Sequence, residues 1–208
     1  INSMYTLAHE AGHSMHSFLS RKTQAYPYAD YTIFVAEVAS TFNEVLLTKY
    51  LLSQDINQSM KIYLICREID NIRGTLYRQT MFAEFEHQIY TTAESGQPMT
   101  LDSFKEIYKK LLERYFGEEI ILDDCLSLEC LRIPHFYFSF YVYKYATGIS
   151  AAYALAEMVS MGGKTELKDY LNFLKGGGSQ YPIDLLKGAG VDMISPKPVR
   201  AALENFST

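Results

Sequence analysis

Five consecutive residues, His9-Glu10-Ala11-Gly12-His13, have the types and spacing to do chemistry. On a helix, residues four apart share one face, so both imidazoles can reach a single Zn2+ at roughly 2.0–2.1 Å. Glu10 then projects beside the ion, placed to take a proton from water whose pKa the metal lowers towards about 7. So short a pattern can arise by chance, and paired helix histidines are often only structural, so the reading depends on a third ligand. Position 19 is Leu, which excludes the metzincin arrangement with another histidine six residues after the second. His16 lies one turn beyond His13, and three consecutive turns of one helix cannot wrap a tetrahedral ion. It reads as a neighbour or supporting group. Glu37 sits in Phe34-Val-Ala-Glu-Val-Ala-Ser40, an otherwise apolar run. A carboxylate there is costly to bury unless something pairs with it, and a metal would do so. Glu44, two turns further on roughly the same face, could orient a histidine ligand or be a solvated glutamate near the helix end.

The elements that must position these residues read as helices with little strand. Asn2 or Ser3 can cap the first, along which Leu7, Ala11, Met15 and Phe18 follow at helical spacing. Ala25 to Asp30 is a loop around Pro27, and Ile33 to Leu52 is apolar with helical period. From Asn57 to about Thr92 runs one long pattern, with Met60, Leu64, Ile65, Ile69, Ile72 and Leu76 on a stripe; Gly74 weakens its middle. Glu94 to Pro98 breaks it, Thr100 caps a further helix that stops near Gly117, and Tyr137 to Met161 reads as another, ended by Gly162-Gly163. Thr165 starts a short helix that ends at Gly176, and Pro182 and Pro196 suit the starts of closing helices. With no repeat, low-complexity tract or charge block, residues 1–208 are expected to form one mainly α domain.

The composition narrows the partners. A chain of 208 residues can bury roughly 70% of its unfolded surface and needs no disulfide scaffold. Acidic residues outnumber basic ones, 24 to 19, which argues against a dedicated nucleic-acid binder. There is neither an apolar run of about 18 residues nor a signal-peptide pattern. The three cysteines, Cys66, Cys125 and Cys130, show no C-x-x-C spacing and read as reduced thiols of a cytoplasmic protein. The 17 tyrosines read as half-buried helix surface or, less commonly, as a cleft lined with hydroxyl donors. The first residue is Ile1, only a few positions before the most informative motif, so the chain is expected to be an excised portion of a longer protein.

The segment His9 to His16 (HEAGHSMH), followed by Tyr31 to Glu44 (YTIFVAEVASTFNE), closely resembles the oligoendopeptidase F branch of the M3 zinc peptidases. The resemblance continues through Pro134 to Gly148 (PHFYFSFYVYKYATG), Gly176 to Ser179 and Gly190 to Met193, and so covers essentially the whole chain. It implies a mainly α, multi-helix zincin of the gluzincin type, the C-terminal catalytic portion of a longer, two-lobed helical peptidase. It also implies one Zn2+ held by His9, His13 and Glu37, with Glu10 as the base. His135 matches the family's late-loop histidine, which together with tyrosines binds the substrate carbonyl and the tetrahedral intermediate. Tyr137 and Tyr143 are the chosen tyrosines, with Tyr141 next; Tyr141, Tyr145 and Tyr153 otherwise read as packed aromatics, and His87 as a surface or packing histidine. The implied activity is hydrolysis of internal bonds in short peptides, held in a channel whose opposite wall comes from a missing N-terminal half. Two rivals stand beside it: a helical assembly module stapled by a structural zinc, and a zinc hydrolase acting on non-peptide substrates. The intact Glu10 counts against the first, since a structural site needs no base.

Overall fold

The helical periods become nine α-helices and no strand among the described residues of a computed structural model, which covers residues 1–207 apart from the side chains of Asn205 and Ser207. They are α1 (Asn2–Thr23), α2 (Ile33–Leu52), α3 (Gln58–Ile72), α4 (Arg78–Glu94), α5 (Leu101–Phe116), α6 (Tyr143–Gly162), α7 (Lys164–Lys175), α8 (Pro182–Gly188) and α9 (Lys197–Ser207). The chain divides into two compact units, Ile1–Ile72 with the segment from Thr147 onward, and Arg73–Ala146. In the sequence the only mark near that division is Gly74, which weakens the long helical pattern without ending it.

In the first unit α1 packs on α2 and on α7. The close approach of α1 to α2 depends on Gly12. A Cβ there would stand 2.5 Å from the Ala39 carbonyl oxygen and 2.6 Å from the Ser40 Cα. The amide of Asn43 on α2 also donates to the Ala8 carbonyl on α1 at 3.0 Å. The buried face of α1 comprises Tyr5, Gly12, His16 and Ser20. The apolar stripe that marks this helix in the sequence is its opposite, outer face: Leu7 is 70% and Phe18 63% exposed, and Met15 is exposed too.

In the second unit α4, α5 and a 3-10 segment, Asp124–Leu131, enclose a core that includes Met81, Phe82, Phe85, Tyr108, Leu111 and Cys130. Cys130 is thus a packed thiol, whereas Cys66 and Cys125 are exposed, and all three are free. Thr100 caps α5 as expected, with Ser103 closing a reciprocal capping box, and Gly117 ends the helix at φ 78°.

Three boundaries differ from the sequence reading. The cap of α1 is Ile1, without a side-chain hydrogen bond, so neither Asn2 nor Ser3 caps it. The long pattern after Asn57 is broken by a π turn over Arg73–Tyr77, where Gly74 leaves the backbone unshielded and Gln79 donates to its carbonyl at 3.4 Å. The helix expected from Tyr137 begins only at Tyr143. Before it, Pro134–Tyr137 forms a 3-10 turn, and Phe140 adopts a left-handed backbone at φ 54° that no α-helix can contain. Among the described residues no helix is long and apolar enough to cross a membrane.

Candidate metal centre

The first unit brings three of the expected residues together. His9 and His13, one turn apart on α1, and Glu37, in the second turn of α2, converge with one ligand atom each. The two histidine Nε2 atoms are 3.2 Å apart, and Glu37 Oε2 lies 3.4 Å from His9 and 3.7 Å from His13. Tetrahedral zinc with bonds of about 2.1 Å separates its ligand atoms by about 3.4 Å, so this triangle has the dimensions of three corners of a zinc site. Two imidazole nitrogens this close need a proton or a cation between them, and the facing carboxylate adds the charge a divalent ion requires. The donor set therefore fits zinc.

Two of the three corners are held from behind. Ser40, fully buried, donates from Oγ to Glu37 Oε2 at 3.1 Å. Gly148 on α6 lies against Glu37, where an added Cβ would sit 3.4 Å from the Glu37 Cβ. His9 Nδ1 is 2.8 Å from Glu44 Oε1. An ionised carboxylate can only accept, so Nδ1 carries the proton and Nε2 presents its lone pair to the centre. This pair answers the question left open for Glu44, which is a partner of His9. Arg67, on α3, donates from Nη2 to the other oxygen of Glu44 at 2.9 Å. Burial pushes the Glu44 carboxyl up, but the hydrogen bonds from His9 and Arg67 outweigh it and hold it below the usual range. The same bond to Glu44 raises His9 against the opposing effect of burial.

Glu10 is exposed, and its carboxylate makes no hydrogen bond or ion pair with any described residue. His16 lies outside the triangle. It is 1% exposed and stacks flat on Tyr31, ring centroids 3.6 Å apart and planes 3° from parallel. Burial, and secondarily charge on His13, push it down to about 4. The tyrosine's hydroxyl pairs with Ser17 Oγ at 2.9 Å. A cavity of about 480 Å3 in this unit, lined by residues including Val45, Leu52, Ile65 and Tyr153, contains none of the centre's residues.

The remaining expected residues lie in the second unit. His135 is half-buried in the 3-10 turn, with Tyr141 at 5.5 Å between ring centroids. The tyrosine whose hydroxyl reaches His135 Nε2, at 3.4 Å, is Tyr145. Tyr137 is 83% exposed, Tyr143 is exposed at the first turn of α6, and His87 is exposed on α4. Behind this segment, buried Glu86 accepts the Phe140 N–H at 2.6 Å, and Tyr90 pairs with Ser139 Oγ at 2.7 Å. The loop that carries these groups is thus held in its left-handed bend from α4. Sequence reasoning did not single out Ser40, Arg67 or Glu86; Glu86, a carboxylate between Phe85 and His87, offered the only comparable signal.

The sequence model of peptidase family M3 matches residues 1–205. Oligopeptidase PepF of Bacillus subtilis is 51% identical over 206 residues, which are 99% of this chain and 31% of that protein. An oligoendopeptidase F homolog of Borreliella burgdorferi is 45% identical over 99% of the chain and 34% of its own length. The crystal structure of oligoendopeptidase-F from Enterococcus faecium superposes with a TM-score of 0.88 at 40% identity, covering 99% of this chain and 37% of that one. The chain spans about a third of the length of the curated relatives it matches.

Proposed function

The chain belongs to peptidase family M3, and from that premise we propose that it is the metal-binding catalytic portion of a zinc endopeptidase acting on short peptides. The observation that carries this reading is the triangle of His9, His13 and Glu37, sized for zinc, with an uncommitted Glu10 beside it. A zinc ion held there would supply Lewis acidity, lowering the pKa of water towards about 7 and polarising a carbonyl oxygen. Glu10 accepts the proton of the attacking water and passes it to the leaving amine. Glu44, through His9 Nδ1, keeps the imidazole in the ligating tautomer. His135, with Tyr137 or Tyr143, donates to the oxygen of the scissile carbonyl as it takes up charge, each preorganised donor contributing about 3 kcal/mol. Tyr145, against His135, orients it.

Peptide hydrolysis is the work of a longer polypeptide, whose remaining part supplies the opposite wall of the substrate channel. The exposed apolar face of α1 supports this, because so large an outward stripe suits a covering partner better than solvent. The test is cleavage of a quenched fluorescent peptide by that longer polypeptide, with zinc content measured alongside. Cleavage that requires stoichiometric zinc supports the proposal; peptide cleavage that persists after the metal is stripped contradicts it.

A further inference from the structure

Arg67 has no counterpart in the H-E-x-x-H motif, yet it is the third member of a linear chain of contacts that starts at His9, from the ring nitrogen that does not face the centre. His9 meets Glu44 Oε1 at 2.8 Å, and Glu44 Oε2 meets Arg67 Nη2 at 2.9 Å. The two carboxylate oxygens are therefore committed in opposite directions, and the carboxylate cannot rotate without breaking one bond or the other. The guanidinium is itself fixed. It lies over the ring of Tyr5, 3.4 Å from the centroid, and that ring is 1% exposed. The Tyr5 hydroxyl is pinned to Thr48 Oγ1 at 2.9 Å, and Thr48 in turn donates to Glu68 at 3.3 Å. The chain thus ends on a wall built from α1, α2 and α3. Arg67 Nη1 is buried without a hydrogen-bond partner. A pair retained for stability alone would gain by using both arms of the fork on the carboxylate, because an unsatisfied buried donor costs about 1–3 kcal/mol.

We propose that Arg67 is a positioning residue for the metal centre: held flat on Tyr5, it fixes the Glu44 carboxylate that aims the His9 imidazole at the ion. The inference rests on the zinc-site reading above. Loss of Arg67 leaves all three ligands in place but frees Glu44 to turn, so His9 samples orientations that do not ligate. Zinc affinity falls while stoichiometry at saturating metal stays at one.

The test is zinc affinity by competition with a chromophoric chelator, for the wild type, Arg67→Met, Arg67→Lys, Glu44→Ala and the Glu44→Ala/Arg67→Met double variant. Removing such an outer partner weakens zinc by about tenfold or more. Arg67→Met is expected to show that loss, and Arg67→Lys to recover most of it. In the Glu44→Ala background Arg67→Met is expected to add nothing, because its effect passes through Glu44. A merely structural arginine would lower the melting temperature equally in both backgrounds and leave this coupling at zero. Wild-type affinity in Arg67→Met overturns the proposal, and so does equal weakening in both backgrounds. If Arg67→Met does not fold, Arg67→Ala, which likewise removes the donor to Glu44, replaces it under the same expectations. Failure of the wild type to bind zinc would instead overturn the underlying metal-site reading, a result distinct from either.

Discussion

Glu10 and His16 lie on the same helix, and their surroundings assign them opposite roles. Glu10 is exposed and uncommitted, so Glu10→Gln should keep stoichiometric zinc while peptide cleavage by the longer polypeptide falls by about 10^2 to 10^4, the range expected for loss of a general base. Retained cleavage would remove Glu10 from the mechanism. His16 is a buried, neutral ring. Its pKa is lowered to about 4 from an ordinary 6.5, so between those values the unfolded chain binds a proton that the folded one does not. The stability it permits is complete above about pH 6.5 and is lost as the pH falls towards 4, by up to about 3 kcal/mol. In His16→Phe, which keeps a ring on Tyr31, urea unfolding should show a gain over wild type that grows from pH 7 to pH 4.5; parallel curves would contradict the assignment. At this scale the sequence was most legible where physics leaves few choices. Histidines four apart must share a helix face, and Glu37 in an apolar run must have a partner. Arg67 was not legible, because an arginine in a helical pattern looks the same whether it faces water or a tyrosine ring.

Among the elements, the spacing of α1 and α2 decides whether the three proposed ligands meet, and Gly12 sets that spacing. Gly12→Ala drives a Cβ into the Ala39 carbonyl and the Ser40 backbone, neither of which can yield without moving α2. A cost of about 1–3 kcal/mol is expected in denaturant unfolding, together with weaker zinc binding as Glu37 withdraws. Gly74→Ala is the control. A Cβ there meets nothing within 4 Å, so no such loss of stability or zinc affinity should follow. If both variants behave alike, the close approach at Gly12 is not what assembles the centre. Helix ends with local chemistry, such as the Thr100 cap and the Gly117 stop, could be read directly. The start of α6 could not. Residues 137–142 run into the helical pattern with no Gly or Pro to mark a boundary, and a carboxylate 54 residues away accepts the Phe140 N–H in the bend that precedes the helix. Glu86→Ala should therefore loosen this loop, seen as faster amide exchange at residues 138–142, while zinc affinity in the first unit is unchanged.

For the whole molecule, the apolar stripe of α1 divides what a single chain can reveal from what it cannot. Leu7, Met15 and Phe18 signalled a helix correctly, but periodicity says only that a face is apolar and not what covers it. The chain spans about a third of its relatives' length, and the remaining part of a longer polypeptide is the proposed cover. Leu7→Ser with Phe18→Ser should then make the 208-residue chain more soluble while lowering the activity of the longer polypeptide, whereas unchanged activity would leave that face uncovered in the working enzyme. Everything proposed for catalysis depends on one zinc ion between α1 and α2, and zinc K-edge absorption spectroscopy of the metal-loaded protein tests that most directly. The expected spectrum is a single four-coordinate zinc at about 2.0–2.1 Å with two imidazoles and only nitrogen and oxygen neighbours. Sulfur scattering at about 2.3 Å from the free cysteines, or fewer than two imidazoles, would contradict the site.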